Sequence, residues 1–420
     1  MKLKESVFNF KYKRNENENV IYNTFSKALL VLDDTEYSYL LNLDAADEDF
    51  TNELLENGVL VDEKDDEISF LKYFHYKTKF SNQMLFLTIA PTLDCNFACP
   101  YCYENRIKGY MSDDVQNGVL GFIEDSIKSG VKAIHLTWYG GEPLLCFDIV
   151  ENMSKKISTM CKENSCRLKM DIVTNGYLLT EEIVEKIDLL GITKVQITID
   201  GLKEHHDVRR PLRGGGGTFD KIIENLSLFD DSPLAVLIRM NVDNQNSGDF
   251  KHLKTQIDSL GNKNIRVYAS PVEDLNKDTV NNVSDFMTTD EFEAFASKAC
   301  DEGDWSDDDF SVMDDRFCFC TSETENCYVV DESGNFYKCW DEVGRKEYKC
   351  FNILDPDSIN YHQIAKFLAC DPFSDSSCGN CVFLPLCFGG CKFQRANLNK
   401  SVCGFTNESM RKYIETSFFK

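Results

Sequence analysis

Between Leu85 and Ala269 the chain alternates strand-like apolar runs with helical segments, and this alternation limits the fold more than any other feature. Strand character falls at Leu85–Ala90, Ala133–Trp138, Leu168–Thr174, Lys194–Asp200, Ala235–Val242 and Ile265–Ala269. Helical segments fall between them, at Val115–Ser129, Ile149–Cys161, Glu181–Leu190, Phe219–Phe229 and Phe250–Leu260. Parallel strands need a long crossover, and a helix supplies it. The expectation is an α/β fold in which a parallel sheet curls into a partial (β/α)6 barrel of the TIM type. Ligands of such a sheet gather at the carboxyl ends of its strands.

The flanking regions read differently. Residues 1–80 suggest a small winged-helix-like α+β unit. Val20–Tyr22 and Ala28–Leu32 have strand character, Thr35–Leu43 and Phe50–Leu55 helical character, and Gly58 ends a helix before a strand at Val59–Val61. Residues 81–275 form the barrel. Residues 276–315 are acidic and read as a bridging region, helical around Asp290–Cys300. Residues 316–420 read as a cysteine-rich domain, since eleven of the eighteen cysteines fall between Cys318 and Cys403.

Composition excludes several classes of function. With 70 acidic and 45 basic residues, the formal net charge is −25. Nucleic acid would be repelled. The charge serves solubility, or a basic peptide partner. No run approaches the length of a membrane span, and the N-terminus has no apolar core of a signal peptide. The expected location is therefore cytoplasmic, where cysteines stay reduced and act as metal ligands or small core residues.

The first barrel strand leads into Pro-Thr-Leu-Asp-Cys95-Asn-Phe-Ala-Cys99-Pro-Tyr101-Cys102-Tyr-Glu. Cys95, Cys99 and Cys102 have C-x3-C-x2-C spacing in a loop where ligands are expected. Thiolates are the usual ligands of iron–sulfur clusters. Three cysteines leave one iron of a four-iron cubane open, as an open position marks catalytic zinc sites. Structural zinc is the alternative, but it wants a fourth ligand and a paired CxxC knuckle.

This loop resembles the signature of the radical S-adenosylmethionine superfamily, with Tyr101 in its aromatic slot. The resemblance implies a [4Fe–4S] cluster that binds S-adenosylmethionine. Tyr139-Gly140-Gly141-Glu142-Pro143, after the second strand, is similar to the family's GGEP motif, whose backbone and carboxylate would receive the cofactor's amine. Glycines suit that role because the main chain must approach a ligand closely. Asn175, Thr198 and Asp200, at the ends of the third and fourth strands, are implied contacts to the sugar and methionyl parts. Arg239 could pair with the cofactor carboxylate or form a barrel-wall ion pair. His205 and His206 are adjacent and cannot face one metal from a helix or strand. Gly214–Gly217 read as a mobile loop ending in an N-cap at Thr218.

Downstream, Cys378-x2-Cys381-x5-Cys387-x3-Cys391, then Cys403, follows Gly334-x4-Cys339. This pattern resembles the SPASM domain, which implies two auxiliary [4Fe–4S] clusters and three in all. By the family's arrangement Cys339 and Cys391 belong to the first auxiliary cluster. Cys378, Cys381, Cys387 and Cys403 hold the second. Cys318 and Cys320 satisfy the family's spacing upstream of Gly334. A two-residue hairpin loop at Ser333-Gly334 would put Cys327 on the opposite face from Cys339. Cys320 is preferred, Cys318 and Cys327 compete for the fourth place, and a substrate thiol could take it instead. Cys146, Cys161, Cys166, Cys300, Cys350 and Cys370 read as core residues.

The two resemblances imply a maturase of ribosomally made peptides, of the sactipeptide or ranthipeptide thioether-forming kind. Residues 1–80 weakly resemble the peptide-recognition domain of such enzymes. They would bind the leader of a cysteine-rich precursor by strand addition, or serve as a structural cap. A flavodoxin- or ferredoxin-type donor would supply electrons. Carbon–carbon or carbon–oxygen cross-linking is the near rival. Anaerobic sulfatase maturation is the further one. Those enzymes carry an aspartate directly after the cysteine matching Cys339, whereas here Trp340 stands there and Asp341 follows. In a strand that shift turns the carboxylate to the other face.

Overall fold

The computed structural model describes residues 2–42, 47–272, 285–302, 317–400 and 403–419. The chain forms two compact units: Met1–Ser81, Phe310–Glu325 and Lys366–Lys420 in one, Asn82–Asp309 and Asn326–Ala365 in the other.

In the first unit β1 (Leu3–Glu5) pairs antiparallel with β5 (Leu60–Asp62). Strands β2 (Asn9–Asn15), β3 (Glu18–Asn23) and β4 (Leu29–Leu32) form an antiparallel sheet in that order. Alternate residues of β3 point to opposite faces, yet nearly all are buried, because both faces are covered. Ile21 packs with Leu32, Leu40, Leu54, Val59 and Leu60. Val20 and Tyr22 pack with Phe383, Leu386, Met410 and Ile414 from the far end of the chain. The N-terminal sheet thus shares a core with the last cysteine-rich segment.

The same unit contains a helix, Glu67–Lys79, that the apolar pattern does not reveal. Its buried residues are Leu71, His75 and Lys79. They lie four apart on one stripe, but two of them are polar. Carbonyls take one bond from each: His75 Nδ1 donates to Phe317 O at 2.8 Å and Lys79 Nζ to Cys370 O at 2.8 Å, while His75 Nε2 is buried without a hydrogen-bond partner among the described residues.

In the second unit β6 (Met84–Ile89), β7 (Ala133–Trp138), β8 (Arg167–Thr174), β9 (Ile192–Thr198), β10 (Ala235–Val242) and β11 (Ile265–Pro271) lie side by side in chain order, all parallel. Helices 113–128, 147–163, 181–189, 219–226 and 250–258 connect them. The expected α/β fold is present, and the sheet is open: β6 and β11 do not pair. The free edge of β6 is taken by β12 (Cys327–Val330), running parallel, followed by the antiparallel β13 (Asn335–Tyr337) and β14 (Phe351–Asn352). The segment read from sequence as one domain, 316–420, therefore divides, and 326–365 extend the barrel sheet. A short helix, Lys203–Arg209, is also present beyond the expected set.

Of the acidic bridging region, Thr289–Asp301 is helical; residues 276–284 and 303–315 lie outside the described residues. Among the described residues no helix is long and apolar enough to cross a membrane.

Candidate functional site

The loop bearing Cys95, Cys99 and Cys102 leaves the carboxyl end of β6 and is clamped by its neighbours' backbone. Gly141 N donates to Thr92 O at 3.1 Å and Glu142 N to Asp94 O at 2.9 Å. Gly140 has φ +108°, and a Cβ there would stand 2.4 Å from Thr92 O; at Gly141 a Cβ would stand 2.2 Å from Asp94 O. Both glycines are thus required by a close approach to the cysteine loop.

Glu142 is fully buried, and its carboxylate is engaged within the protein. It accepts from Thr174 Oγ1 at 2.7 Å, Asn175 N at 2.7 Å and Leu144 N at 3.0 Å. It ties the loop after β7 to the end of β8. Asn175 in turn donates to Asn96 Oδ1 at 2.7 Å and reaches Cys95 Sγ at 3.8 Å. It orients the cysteine loop from the side.

A charged network fixes the loop from beneath. The Tyr101 hydroxyl donates to Asp200 Oδ2 and accepts from Arg210 NH1 at 2.6 Å and Asn241 Nδ2 at 3.2 Å. Asp200 is fully buried; its Oδ1 accepts from Asn241 N at 3.0 Å. Arg209 stacks over the Tyr101 ring at 5.0 Å and donates to Asp243. Burial raises the Tyr101 phenol well above its ordinary range, so it stays neutral and serves as a hydrogen-bonded post. Thr198 and Arg239 are partners in the β9–β10 register. Arg239 donates to Asn241 Oδ1 at 2.8 Å and Ser270 Oγ at 2.9 Å, both neutral.

The two histidines have separate partners. His206 is buried; its Nδ1 accepts from Asp200 N at 3.1 Å, and its Nε2 lies 3.0 Å from Thr218 Oγ1. Burial lowers it to about 4, so it is neutral. His205 Nδ1 lies 2.6 Å from Asp249. Thr218 holds the N-cap position, but its hydroxyl donates to Arg210 O at 2.7 Å. The cap is Asp207, which accepts from Thr218 N at 2.7 Å and Phe219 N at 2.9 Å.

The hairpin register overturns one expectation. Val329 pairs with Tyr337 and Val330 with Phe336, so three residues, 332–334, form the loop. Asp331 widens the turn: its Oδ1 accepts from Ser333 N at 3.0 Å and Asn335 N at 2.9 Å. Continued two residues outward, this register sets Cys327 opposite Cys339 on the same face. After Cys339 the strand does not continue, because Trp340–Glu342 form a 3-10 turn. The strand-parity argument against Asp341 therefore fails. Its carboxylate accepts from Cys339 Sγ at 3.4 Å and feels the charge of Arg239.

Asp341 lies beside a buried cluster that the sequence does not announce: its charge reaches Tyr103 and Glu104. The Tyr103 and Tyr139 hydroxyls touch, Tyr139 hydrogen-bonds Glu104, and Trp340 packs on the Tyr139 ring at 4.6 Å. Glu104 is buried, and that burial pushes its carboxyl up to about 7. The available signal was the Tyr103-Glu104 pair directly after the third cysteine.

Cys95 and Cys102 each lie close enough to sense Cys99 on the same loop; three soft thiols are the donor chemistry an iron–sulfur cluster uses, although among the described residues they are not drawn together as a metal-holding group. Burial pushes the Cys95 and Cys102 thiols up to about 12. Of the C-terminal cysteines, Cys378, Cys381, Cys387 and Cys403 lie near one another in pairs, and among the described residues no group of three or more is set to hold a metal ion. Cys381 is close enough to sense Cys378 and Cys403, and Cys387 senses Cys378. Cys318, Cys320 and Cys391 belong to that same unit, and Cys327 and Cys339 to the barrel unit. All eighteen cysteines are free of disulfides.

Comparison with known proteins follows the same lines. A family model described as the Radical SAM superfamily matches residues 89–257. The sporulation killing factor maturation protein SkfB of Bacillus subtilis is 26% identical over 174 residues, 41% of this chain and 40% of its own. The solved structure of anSMEcpe with bound AdoMet has a TM-score of 0.59 at 19% identity, covering 80% of this chain and 97% of that one. SuiB of Streptococcus suis bound to precursor peptide SuiA has a TM-score of 0.53 at 15% identity, covering 95% and 97%. At these identities the two structures bear on the fold alone. The chain spans about half the length of the curated relatives it matches. Residues 89–257, which match the Radical SAM superfamily model, hold strands β7 to β10 and the three-cysteine loop at the end of β6.

Proposed function

We propose that this chain modifies a ribosomally made precursor peptide by radical chemistry, joining a cysteine sulfur to a carbon as a thioether. The observation that carries the reading is the clamped loop of Cys95, Cys99 and Cys102 at the carboxyl end of β6. The cluster and S-adenosylmethionine held there would supply a carbon-centred radical able to take a hydrogen atom from an unactivated carbon. Asn175 and Tyr101 fix the loop. The backbone at Gly140–Gly141, Thr198 and Arg239 would hold the cofactor, Arg239 because its own hydrogen bonds go to neutral groups. The cluster of Tyr103, Glu104, Tyr139 and Trp340 would border the peptide residue being modified.

Cys378, Cys381, Cys387 and Cys403 are the proposed ligands of one auxiliary cluster, and Cys327 and Cys339 ligands of another. An external flavodoxin- or ferredoxin-type donor supplies electrons, and the thiols require a reducing cytoplasm. Strand β4 supports leader binding: it ends its sheet, and Val31 is 41% exposed, so an extended peptide could add there. SuiB is a structural neighbour solved with its precursor peptide, and SkfB is named a maturation protein.

Anaerobic incubation of precursor with enzyme, reductant and S-adenosylmethionine, followed by thiol alkylation and mass spectrometry, tests the reading. A thioether removes two hydrogens and one alkylatable thiol per ring. Loss of two hydrogens with every thiol still alkylatable would point to carbon–carbon or carbon–oxygen linkage instead. Sulfatase-maturase-like oxidation is kept as a second reading on one observation, the turn that brings Asp341 to Cys339 and Arg239. It would convert a cysteine to an aldehyde and form no cross-link.

A further inference from the structure

The two faces of the parallel sheet are covered unequally. The face of Leu136, Trp138, Met170 and Ile172 is buried, and Trp138 Nε1 donates to Ser154 Oγ on helix 147–163 at 3.0 Å. Alternate residues look the other way. On that side Thr137, Val173 and Gln196 are only partly buried.

Cations collect on this second face, at the amino ends of the strands. Arg167 and Lys169 stand two apart on β8, and both are exposed. Register sets Lys169 beside His135 of β7 and Asp171 beside Lys194 of β9. Asp171 is the carboxylate of this group, and it is already engaged. Its Oδ2 lies 2.8 Å from His135 Nε2 and accepts from Lys194 Nζ at 2.9 Å. Arg167 and Lys169 form no ion pair among the described residues. The composition does not favour such a rim. In a chain of net charge −25, cations normally sit among carboxylates, as Lys155 and Lys186 do with Glu151.

The same column of β8 leads to the cysteine loop. Beyond Lys169 it runs through Asp171 and Val173, and Asn175, just past the strand, reaches Cys95 Sγ at 3.8 Å. Six extended residues cover about 20 Å. The rim and the cysteine loop therefore mark opposite ends of one strand face. An exposed cationic rim attracts an anionic ligand, and an extended peptide has the shape to run from it along the strands.

We infer that this face receives an extended acidic segment of the precursor peptide, whose Asp or Glu side chains pair with Arg167 and Lys169 about six residues from the residue being modified. The inference deepens the reading of this chain as a peptide-modifying enzyme and rests on it for the identity of the ligand.

The first test is fluorescence anisotropy of a fluorescein-labelled hexaglutamate peptide with the full-length protein at low salt. Wild type should bind it, and added salt should weaken the binding. The exposed double change Arg167→Glu/Lys169→Glu should lower affinity on the order of tenfold, with cleavage of S-adenosylmethionine unchanged. The charge-preserving swap Arg167→Lys/Lys169→Arg should bind as wild type does. No binding at low salt, or equal binding by the wild type and the glutamate variant, overturns the inference. A single-stranded DNA oligonucleotide bound as tightly, and lost in the same variant, would make the rim a general polyanion site and overturn the peptide assignment. With precursor as substrate, the glutamate variant should show a raised KM at little-changed kcat. Precursor modified equally well by both proteins counts against the rim alone. Hexaglutamate bound at the rim, with no precursor modified by the wild type, counts against the enzymatic reading and takes the precursor assignment with it.

Discussion

The two cysteine groups are built by different means. The barrel loop is positioned by the sheet: backbone donors from the loop after β7, the Asn175 amide from the end of β8 and the Asp200–Tyr101 network from β9 each hold it. The group at Cys378–Cys403 has no strand beneath it. Turns and short helices shape it, with Phe388, Gly389 and Gly390 all at positive φ, and Arg395 and Asp375 cross-linking it. One geometry is inherited from the fold. The other is shaped by turns and by the Arg395–Asp375 cross-link.

The largest expected consequence concerns iron removal. Chelation should leave the barrel unit resistant to protease while residues 366–419 become cleavable on the order of tenfold faster, because local opening there is no longer opposed by metal ligation. Equal protection of both regions in the iron-free protein would remove the contrast. Mass spectrometry of limited-proteolysis fragments reads the result.

Next in size is Glu142→Leu. It leaves the buried Thr174 hydroxyl and the Asn175 and Leu144 amides without their acceptor. The cost should be about 3 kcal/mol in chemical denaturation. Cofactor cleavage should fall with it, since Asn175 would lose its anchor. An unchanged midpoint would mean that the clamp does not hold the loop.

The smallest effect is pH dependence. Hydrogen bonds from Ser377 and Arg395 hold the Asp375 carboxyl well below its ordinary range. A depressed carboxyl contributes stability that is present above the unfolded-state value, near 4, and lost as pH falls through the folded-state value. The contribution should be no more than about 1 kcal/mol at this partly exposed site. Asp375→Asn should flatten the acid limb of the stability profile by that amount.

The same contrast explains what could be read from sequence. The six barrel strands were legible because both faces are buried and their apolar runs are nearly continuous. The helix Glu67–Lys79 was not, because His75 and Lys79 occupy its buried stripe. Helix Lys203–Arg209 hid for the same reason, burying His206 and Arg209. Cysteine spacing drew attention to both segments, and the placement of Cys327 turned on the loop length that the Asp331 carboxylate sets. The pairing of β12 with β6 joins segments more than two hundred residues apart, and a four-residue run cannot specify it. The shared core of Val20 and Tyr22 with Phe383 and Met410 also changes how leader binding should be tested. Deleting residues 1–80 would strip that core, so a point change in β4 such as Val31→Pro is the cleaner probe.

The central claim is that the barrel loop starts the chemistry and the second group does not. The direct measurement is 5′-deoxyadenosine formed by reduced enzyme with S-adenosylmethionine, compared among wild type, a Cys95/Cys99/Cys102→Ala variant and a Cys378/Cys381→Ala variant, each with its iron counted. By ligand count three four-iron centres hold about twelve irons. The barrel-loop variant should form no 5′-deoxyadenosine while keeping roughly two-thirds of the iron. The second variant should still cleave the cofactor yet give no cross-linked peptide. Cleavage surviving in the barrel-loop variant, or abolished in the second while its barrel-loop cluster remains, would contradict the account.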